Sequence, residues 1–390
     1  MIYNFDKIID RRGTDSVKWN QQDYADLIPL WVADMDFPAS NEIIDALTKR
    51  VQHAVYGYAK VPDAFYQAVA DWSSRKHGFQ LQREWILPVL GVVPALSAIV
   101  AALTETGDKV LIQEPVYHCF FSSIERNGCE VVSNDLLYKD GKYTIDFVDF
   151  ERKASDPKVK LFILCSPHNP AGRVWTKAEL EQLGEICLKN NVLVVADEIH
   201  CDLVYEGYQH IPFGTIHPAF LANTITCIAP SKTFNLAGLQ VATVIVADPL
   251  LNKKVQQAFL VNEIASISPF AITGLIAAYQ DGEEWLQQVL SYVHHNYVYV
   301  KNYVAEHLPL LKIVPLEGTY LVWIDCSALN LSSRKLGQLL LQEAHLQVNV
   351  GAMYGKGSDS FIRLNIACAR PILEEGLTRL KQVLLNVKEK

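Results

Sequence analysis

The feature that most constrains the fold of this chain is an alternation of short apolar runs and longer amphipathic segments between residues 85 and 250. Several runs are apolar at consecutive positions, as is typical of strands covered on both faces. A β-then-α order predicts an α/β fold with a mostly parallel sheet between helices. The predicted strands are residues 85–89, 109–112, 161–165, 192–196, 224–228 and 241–246, and the predicted helices between them are residues 94–103, 117–127 and 177–190.

The pattern changes after about residue 285, where long helical segments are followed by short strands. It predicts helices at residues 284–308, 332–343 and 371–387 and strands at 320–324 and 360–365. We expect a smaller α+β domain here, with the first 45 residues packed against it. A chain of 390 residues suits two domains. The prediction is a large domain at 46–284 and a discontinuous small domain made of 1–45 and 285–390.

Composition excludes several classes of function. The net charge is −8 and basic residues are scattered, so neither a nucleic-acid partner nor an anionic membrane is expected. The longest apolar stretch, residues 90–103, is too short and too rich in Gly, Pro and Ser to span a bilayer. The N-terminus lacks the pattern of a signal peptide. We therefore expect a cytoplasmic protein.

Cysteine and histidine spacing predicts no metal site. None of the eight cysteines forms a C-x-x-C pair, which argues against a zinc knuckle or a dithiol redox motif. Reduced thiols are the expected state. His294 and His295 are adjacent in a helical pattern, so their side chains point to different faces and do not share ligand spacing.

A lysine follows the predicted strand 224–228, in the segment SKTFN at residues 231–235. Partial burial and a nearby cation lower the pKa of a lysine, which makes its amine a better nucleophile and proton-transfer base. Most loop lysines are simply solvated, so this motif alone carries little weight. Lys232 is nevertheless a candidate for imine formation with an aldehyde.

Other polar groups follow other predicted strands, at the edge where ligands collect in such folds. Asn169 stands in a turn and can donate to a phenolate oxygen, while Asp197 would need a cationic partner if buried. Val92 and Val93 open a helix whose N–H groups can bind a phosphate, and Tyr117 can stack on a planar ring. Each group alone also has an ordinary structural explanation. Together they are complementary to one cofactor.

The order of these groups resembles the fold-type I, aspartate-aminotransferase-like enzymes that use pyridoxal 5′-phosphate (PLP), along nearly the whole chain. The resemblance implies that Lys232 binds PLP as a Schiff base and moves protons, and that Asp197 pairs with the pyridinium nitrogen. It also implies that Asn169 donates to the phenolic oxygen and that Tyr117 stacks on the ring. Arg363, in an apolar strand pattern, would bind the substrate α-carboxylate through a bidentate pair rather than a surface ion pair.

Finer features resemble the MalY/PatB and cystalysin group of C–S lyases. These features are ADMDFP at 33–38, YGY at 56–58, DEIHCD at 197–202 and SKTFN at 231–235. In that group the second tyrosine of the YGY element reaches the phosphate in the neighbouring subunit. The resemblance therefore implies a homodimer in which Tyr58 acts across the interface, with the main chain around Ala33 near the substrate carboxylate.

Two positions depart from the aminotransferase pattern. His200 stands where many relatives have a tyrosine, and Gln240 stands where many have a phosphate-binding arginine. The phosphate would then depend more on backbone N–H groups, Ser231 and Tyr58. His200 would contact the cofactor or brace Asp197.

The resemblance implies β-elimination from a cysteine S-conjugate such as cystathionine, giving pyruvate, ammonia and a thiol. One alternative is a class I/II aminotransferase, which shares every step through removal of the α-proton. A second alternative is a non-catalytic protein of this fold with a regulatory or binding role. The presence of Lys232, Asp197, Asn169 and Arg363 argues against loss of catalysis.

Overall fold

The computed structural model describes residues 2–20 and 24–388. The strands are β1 Ile28–Pro29, β2 Ile86–Val89, β3 Lys109–Ile112, β4 Glu130–Ser133, β5 Leu137–Lys139, β6 Lys142–Thr144, β7 Val159–Cys165, β8 Leu193–Asp197, β9 Thr224–Ile228, β10 Ala242–Val246, β11 Lys312–Ile313, β12 Leu321–Asp325, β13 Leu346–Gln347, β14 Asn349–Val350 and β15 Phe361–Asn365. The helices are α1 Asn41–Gln52, α2 Asp63–His77, α3 Val92–Leu103, α4 Cys119–Glu125, α5 Phe147–Ala154, α6 Lys177–Lys189, α7 Pro218–Ala222, α8 Pro230–Thr233, α9 Pro249–Val261, α10 Pro269–Asp281, α11 Glu283–His307, α12 Ser333–Ala344 and α13 Arg370–Lys388.

The large sheet has seven strands in the order β2-β10-β9-β8-β7-β3-β4. All its neighbouring pairs are parallel except the two that involve β10, which is antiparallel to β2 and β9. The prediction of a mostly parallel α/β sheet is therefore confirmed. The central strands β7, β8 and β9 are buried almost throughout, which explains their continuous apolar sequences.

Helices cover both faces of this sheet. On one face, apolar residues of α3, α4 and α9 pack with the strands in one buried cluster. On the other face, residues of α5, α6 and α7 form a second cluster. Helix α6 begins with a capping box in which Thr176 and Glu179 each bond to the other's backbone N–H. The carboxyl ends of β7, β8 and β9 consequently meet at one edge between the helical layers.

The C-terminal part contains an antiparallel sheet in the order β11-β12-β15-β14, together with α11, α12 and α13. The N-terminal segment joins it, because β1 pairs in parallel with β13. The predicted domain boundaries at residues 45/46 and 284/285 stay a prediction. Within the described residues, no helix is long and apolar enough to cross a membrane.

Several element bounds differ from those predicted. Helix α3 begins at Val92 rather than at residue 94, because Pro94 lies within the first turn, where no intrahelical N–H bond is lost. Helix α4 covers only Cys119–Glu125 of the predicted 117–127. The prediction lacked β4, an edge strand that is only half-buried and so shows no continuous apolar run.

Candidate active site

A cavity of about 310 Å³ lies beyond the carboxyl ends of the central strands. Nine residues singled out in the sequence line it: Ala33, Val92, Val93, Tyr117, Asn169, Asp197, His200, Ser231 and Lys232. Arg363 lies next to this wall, and Tyr58 does not reach it within its own chain. Parallel strands bring their carboxyl ends to one edge, so residues far apart in sequence meet here.

Lys232 is partly buried on the short helix α8, which follows β9. Its Nζ donates a hydrogen bond of 2.7 Å to the main-chain oxygen of Ala33. Burial lowers the pKa of Lys232 to about 8, and the Arg363 charge adds to this, whereas Asp34 and Asp197 oppose it. A substantial fraction of the amine is therefore neutral near physiological pH and can act as a nucleophile or accept a proton.

Asp197 is the last residue of β8 and is only 4% exposed. Burial raises the pKa of its carboxyl to about 7, although the Ile199 N–H donates to Oδ1 at 3.2 Å. Among the residues that the structure describes, no side chain forms an ion pair with it. A buried carboxyl without a cationic partner is complementary to a ring nitrogen that carries a proton.

Asn169 lines the cavity and is held by Arg363, which lies next to it. Arg363 Nη1 donates to Asn169 Oδ1 at 2.9 Å, and its Nη2 donates to the Trp31 oxygen at 2.9 Å. Because the amide oxygen of Asn169 is taken, its Nδ2 group is the one left for another acceptor. The guanidinium is buried, lies 5.2 Å from the Tyr354 ring centre, and its Nε has no partner among the residues that the structure describes. In the described part of the chain no carboxylate neutralises it, so the site suits an anionic ligand.

The start of helix α3 provides a site for a phosphate. Its N-cap residue Gly91 is in extended conformation with φ 167°, and no side chain caps the helix. Val92 and Val93, the first two residues of this 12-residue helix, line the cavity. Their backbone N–H groups have no side-chain acceptor among the described residues and can bind an anion. Ser231 and Gln240 line the same cavity.

His200 lies inside the cavity as a neutral ring. Burial lowers the pKa of His200 far below its usual value, and the charges of Lys232 and Arg363 add to this. Its Nδ1 has no hydrogen-bond partner, and no hydrogen bond joins it to Asp197 among the described residues. Bracing of Asp197 by direct hydrogen bonding is thus not seen here, and contact with a cofactor stays a prediction.

Tyr58 lies outside the cavity. It is wholly exposed, in a stretch between α1 and α2 that has no helix or strand. The predicted role of Tyr58 across a subunit interface stays a prediction.

Sequence reasoning missed the contacts that hold residues 31–37, the segment from which Ala33 lines the cavity. Asn235, three residues after Lys232, accepts from the Met35 N–H at 2.9 Å and donates to the oxygens of Met35 and Phe37. Asp36 accepts from the fully buried Lys18 at 2.7 Å. The asparagine in SKTFN was a usable signal, since its φ of 58° is one that asparagine tolerates.

A second missed network lies behind Lys232. Asp202 accepts hydrogen bonds from Trp72 at 3.1 Å, His77 at 2.8 Å and Thr233 at 2.8 Å, and so fixes the residue next to the lysine. The possible ligand atoms of His77, Cys201 and Asp202 lie within 4.8 Å of one another. Since Asp202 is already engaged by three donors, these contacts account for the cluster without a metal ion.

The raised pKa of Asp197 predicts a pH-dependent stability of the cofactor-free protein. Between the ordinary value of 3.8 and the folded value of about 7, the folded state binds more protons than the unfolded state. The contribution of Asp197 to the free energy of unfolding should therefore fall as pH rises from about 4 to about 7. Asp197→Asn has no titrating carboxyl at this position. The free energy of unfolding of Asp197→Asn minus that of wild type, measured by urea unfolding, should therefore increase between about pH 5 and about pH 7.5. A difference that is independent of pH would contradict a buried, protonated Asp197.

Comparison with known proteins agrees with this geometry. The family model for class I and II aminotransferases matches residues 25–380. Cystathionine β-lyase PatB of Bacillus subtilis (strain 168) is 42% identical over 98% of this chain and 100% of its own. The PLP-containing structure of cystalysin from Treponema denticola superposes with a TM-score of 0.96, at 34% identity, over 99% of this chain and 100% of that one. A PLP-bound putative aminotransferase from Clostridium difficile 630 also gives a TM-score of 0.96, at 42% identity, over 98% and 100% of the chains. The chain therefore belongs to the class I and II aminotransferase family, in the branch that includes the cystathionine β-lyase PatB.

Proposed function

We propose that the protein is a PLP-dependent C–S β-lyase that converts a cysteine S-conjugate such as cystathionine into pyruvate, ammonia and a thiol. The observation that carries this proposal is the full-length likeness to PatB, at 42% identity. The site geometry supports it, because Lys232, Asp197, Asn169 and Arg363 are each complementary to a group on PLP or on an amino-acid substrate.

The residues present fit PLP. When bound, PLP supplies an electron sink for the bonds at the substrate Cα. Lys232 would hold its aldehyde carbon, and Asp197 would accept a hydrogen bond from its protonated ring nitrogen. Asn169 would donate from Nδ2 to the phenolic oxygen, with Tyr117 against the ring. These assignments explain the unpaired carboxyl of Asp197 and the free Nδ2 of Asn169.

The phosphate would lie at the start of α3. The N–H groups of Val92 and Val93 would bind its oxygens, and the Ser231 hydroxyl would add a side-chain donor. Gln240 is neutral, so this site lacks the arginine charge that many relatives provide. We expect the helix N-terminus to contribute correspondingly more to phosphate binding.

The chain's own residues carry the substrate steps. Arg363 would bind the α-carboxylate and thereby orient the Cα–H bond, while its contact with Asn169 ties substrate position to cofactor position. The amine of Lys232, with a pKa of about 8, would accept the proton from Cα. Burial of Arg363 excludes bulk water from its guanidinium and strengthens its interaction with an anion.

Replacing Arg363 with lysine should raise KM for cystathionine by about 100-fold. An ammonium cannot form the bidentate pair, so one oxygen of the substrate α-carboxylate loses its hydrogen-bond donor. We expect kcat to fall less than kcat/KM. Steady-state kinetics over a wide substrate range check this. Arg370→Lys is the matched control, since Arg370 lies over the Tyr299 ring and donates to Asn296, away from the cavity. An unchanged KM in Arg363→Lys would contradict the assignment.

We also propose a homodimer in which Tyr58 donates to the phosphate bound by the other subunit. The exposed position of Tyr58 outside its own cavity supports this. Tyr58→Ala and Lys232→Ala should each be nearly inactive at limiting PLP. When the two variants are refolded together, activity should return, because one site of each mixed dimer then has both residues. A mixture no more active than the separate variants would contradict sharing of Tyr58.

A second candidate function is an aminotransferase, favoured by the likeness to the putative aminotransferase from Clostridium difficile 630. The two functions diverge after the α-proton is removed, and the fold does not separate them. The deciding assay is pyruvate release from cystathionine with no keto acid present. Sustained release supports the lyase, whereas a strict requirement for a keto-acid acceptor supports the aminotransferase.

We further propose a cytoplasmic location. All eight cysteines are free thiols, seven of them buried, and reduced thiols persist in that compartment. Fractionation of the source cells tests this, and recovery of the protein outside the cytoplasmic fraction would contradict it.

A further inference from the structure

The main-chain oxygen of Ala33 accepts two hydrogen bonds inside the active site. One comes from Lys232 Nζ at 2.7 Å and the other from the Tyr320 hydroxyl at 2.9 Å. Tyr320 is buried, and Lys232 is partly buried. Because a carbonyl oxygen has two lone pairs, these bonds fill its acceptor capacity.

The position of this oxygen is set by the segment around it. Residues 31–37, which we name the strap, include the cavity-lining Ala33, and side chains bind the carbonyl groups on both sides of Ala33. The donors are Asn349 and Arg363 to Trp31, Asn365 to Val32 and to Asp34, and Asn235 to Met35. The strap is thus fixed without Lys232. Ala33 is the one position in residues 31–35 whose carbonyl partners are the reactive amine and a tyrosine.

We propose that Tyr320 is a positioning residue, which shares the Ala33 oxygen and so determines where the free amine of Lys232 rests and how tightly it holds its proton. The inference rests on the proposed function only in taking Lys232 as the amine that moves the substrate proton. The carbonyl is the resting place of that amine whenever it is not bonded to the cofactor.

The physical reason is competition between two donors for one oxygen. An ammonium is the stronger donor, and it gains most when the oxygen is free of other donors. Burial raises the pKa of Tyr320, so its hydroxyl stays protonated and donates throughout the working range. Removing that hydroxyl should strengthen the bond from the Lys232 ammonium and raise the pKa of Lys232. The charged and titratable groups that face Lys232 stay in place: Arg363, Asp34, Asp197, Cys119 and His200.

The first test uses the cofactor-free protein. The rate of Lys232 acetylation is followed against pH by peptide mass spectrometry, in wild type and in Tyr320→Phe. We expect the apparent pKa of Lys232 to rise by about half a unit in the variant, the size of one modest hydrogen bond. Tyr205→Phe is the matched control, because the buried Tyr205 hydroxyl donates to the neighbouring Thr319 oxygen at 2.7 Å and does not touch Ala33. An unchanged or lowered pKa in Tyr320→Phe would overturn the proposal.

A second variant keeps the test valid if Tyr320→Phe folds poorly. A fluorinated tyrosine at position 320 keeps the ring and makes the hydroxyl a stronger donor, so the pKa of Lys232 should fall. A rise in that pKa would count against competition at the Ala33 oxygen.

The holoenzyme provides an independent readout. Tyr320→Phe should lower kcat by about fivefold with KM nearly unchanged, and should enlarge the isotope effect of α-deuterated cystathionine. A rise in KM without a larger isotope effect would assign Tyr320 to substrate binding and overturn the proposal. The acetylation measurement involves no turnover, so its result stands even if the lyase assignment fails.

Discussion

Lys232→Ala is expected to lower kcat/KM by about 10⁴-fold, the upper end of what one positioned proton-transfer group contributes. The variant loses the amine whose pKa lies at about 8, and in the described cavity the neutral His200 ring, with a pKa far below its usual value, is a poor proton acceptor. Steady-state release of pyruvate measures the loss.

A covalent readout accompanies this prediction. Borohydride treatment of the wild type should leave the mass of the reduced cofactor on the peptide that contains Lys232, and the variant should not be labelled. Small primary amines should restore part of the lost activity by replacing the missing group. Lys177→Ala is the control, since this exposed lysine starts α6 and forms a surface ion pair with Glu181. Activity within tenfold of wild type in Lys232→Ala would contradict the assigned role.

Asp197→Asn should lower kcat by about 10²- to 10³-fold, comparable with removing one partner of a buried ion pair, about 3–4 kcal/mol. The amide has the same shape as the carboxyl but carries no charge to stabilise a protonated ring nitrogen. We also expect weaker PLP binding, measured by titration of the cofactor-free protein.

Asp197→Glu tests whether charge or shape matters at this position. It keeps the charge and should retain more activity than Asp197→Asn, despite the cost of an extra methylene in a buried position. A decrease in kcat of about threefold is what the loss of one ordinary hydrogen bond would cause. If the asparagine variant loses no more than this, Asp197 does not pair with a charged ring nitrogen.

The parts of the site that the sequence predicts are those that follow strands. Lys232, Asp197 and Asn169 lie in different segments, yet each is at the carboxyl end of a buried strand or within four residues of it, so a parallel sheet brings them to the same edge. The mostly parallel sheet was predictable because continuous apolar runs are characteristic of strands covered on both faces.

The strap could not be predicted, because its contacts join segments with no shared local pattern. Asn235 and Met35 are 200 residues apart, and Tyr320 and Ala33 are 287 apart. Lys18 is fully buried, which the sequence does not indicate. Lysine is rarely buried without a partner, and its partner Asp36 is 18 residues away in the sequence. Such contacts depend on how the N-terminal segment crosses the sheet edge, which periodicity does not encode.

The most direct test of the proposed function is an absorption spectrum of the purified protein, recorded before and after adding L-cystathionine, with pyruvate assayed in the same cuvette and no keto acid present. We expect a band near the visible edge that shifts on addition of substrate while pyruvate accumulates over many turnovers. Conversion of the band to the pyridoxamine form without pyruvate would make the protein an aminotransferase. The absence of any band after PLP has been added would contradict the central claim that this cavity binds the cofactor on Lys232.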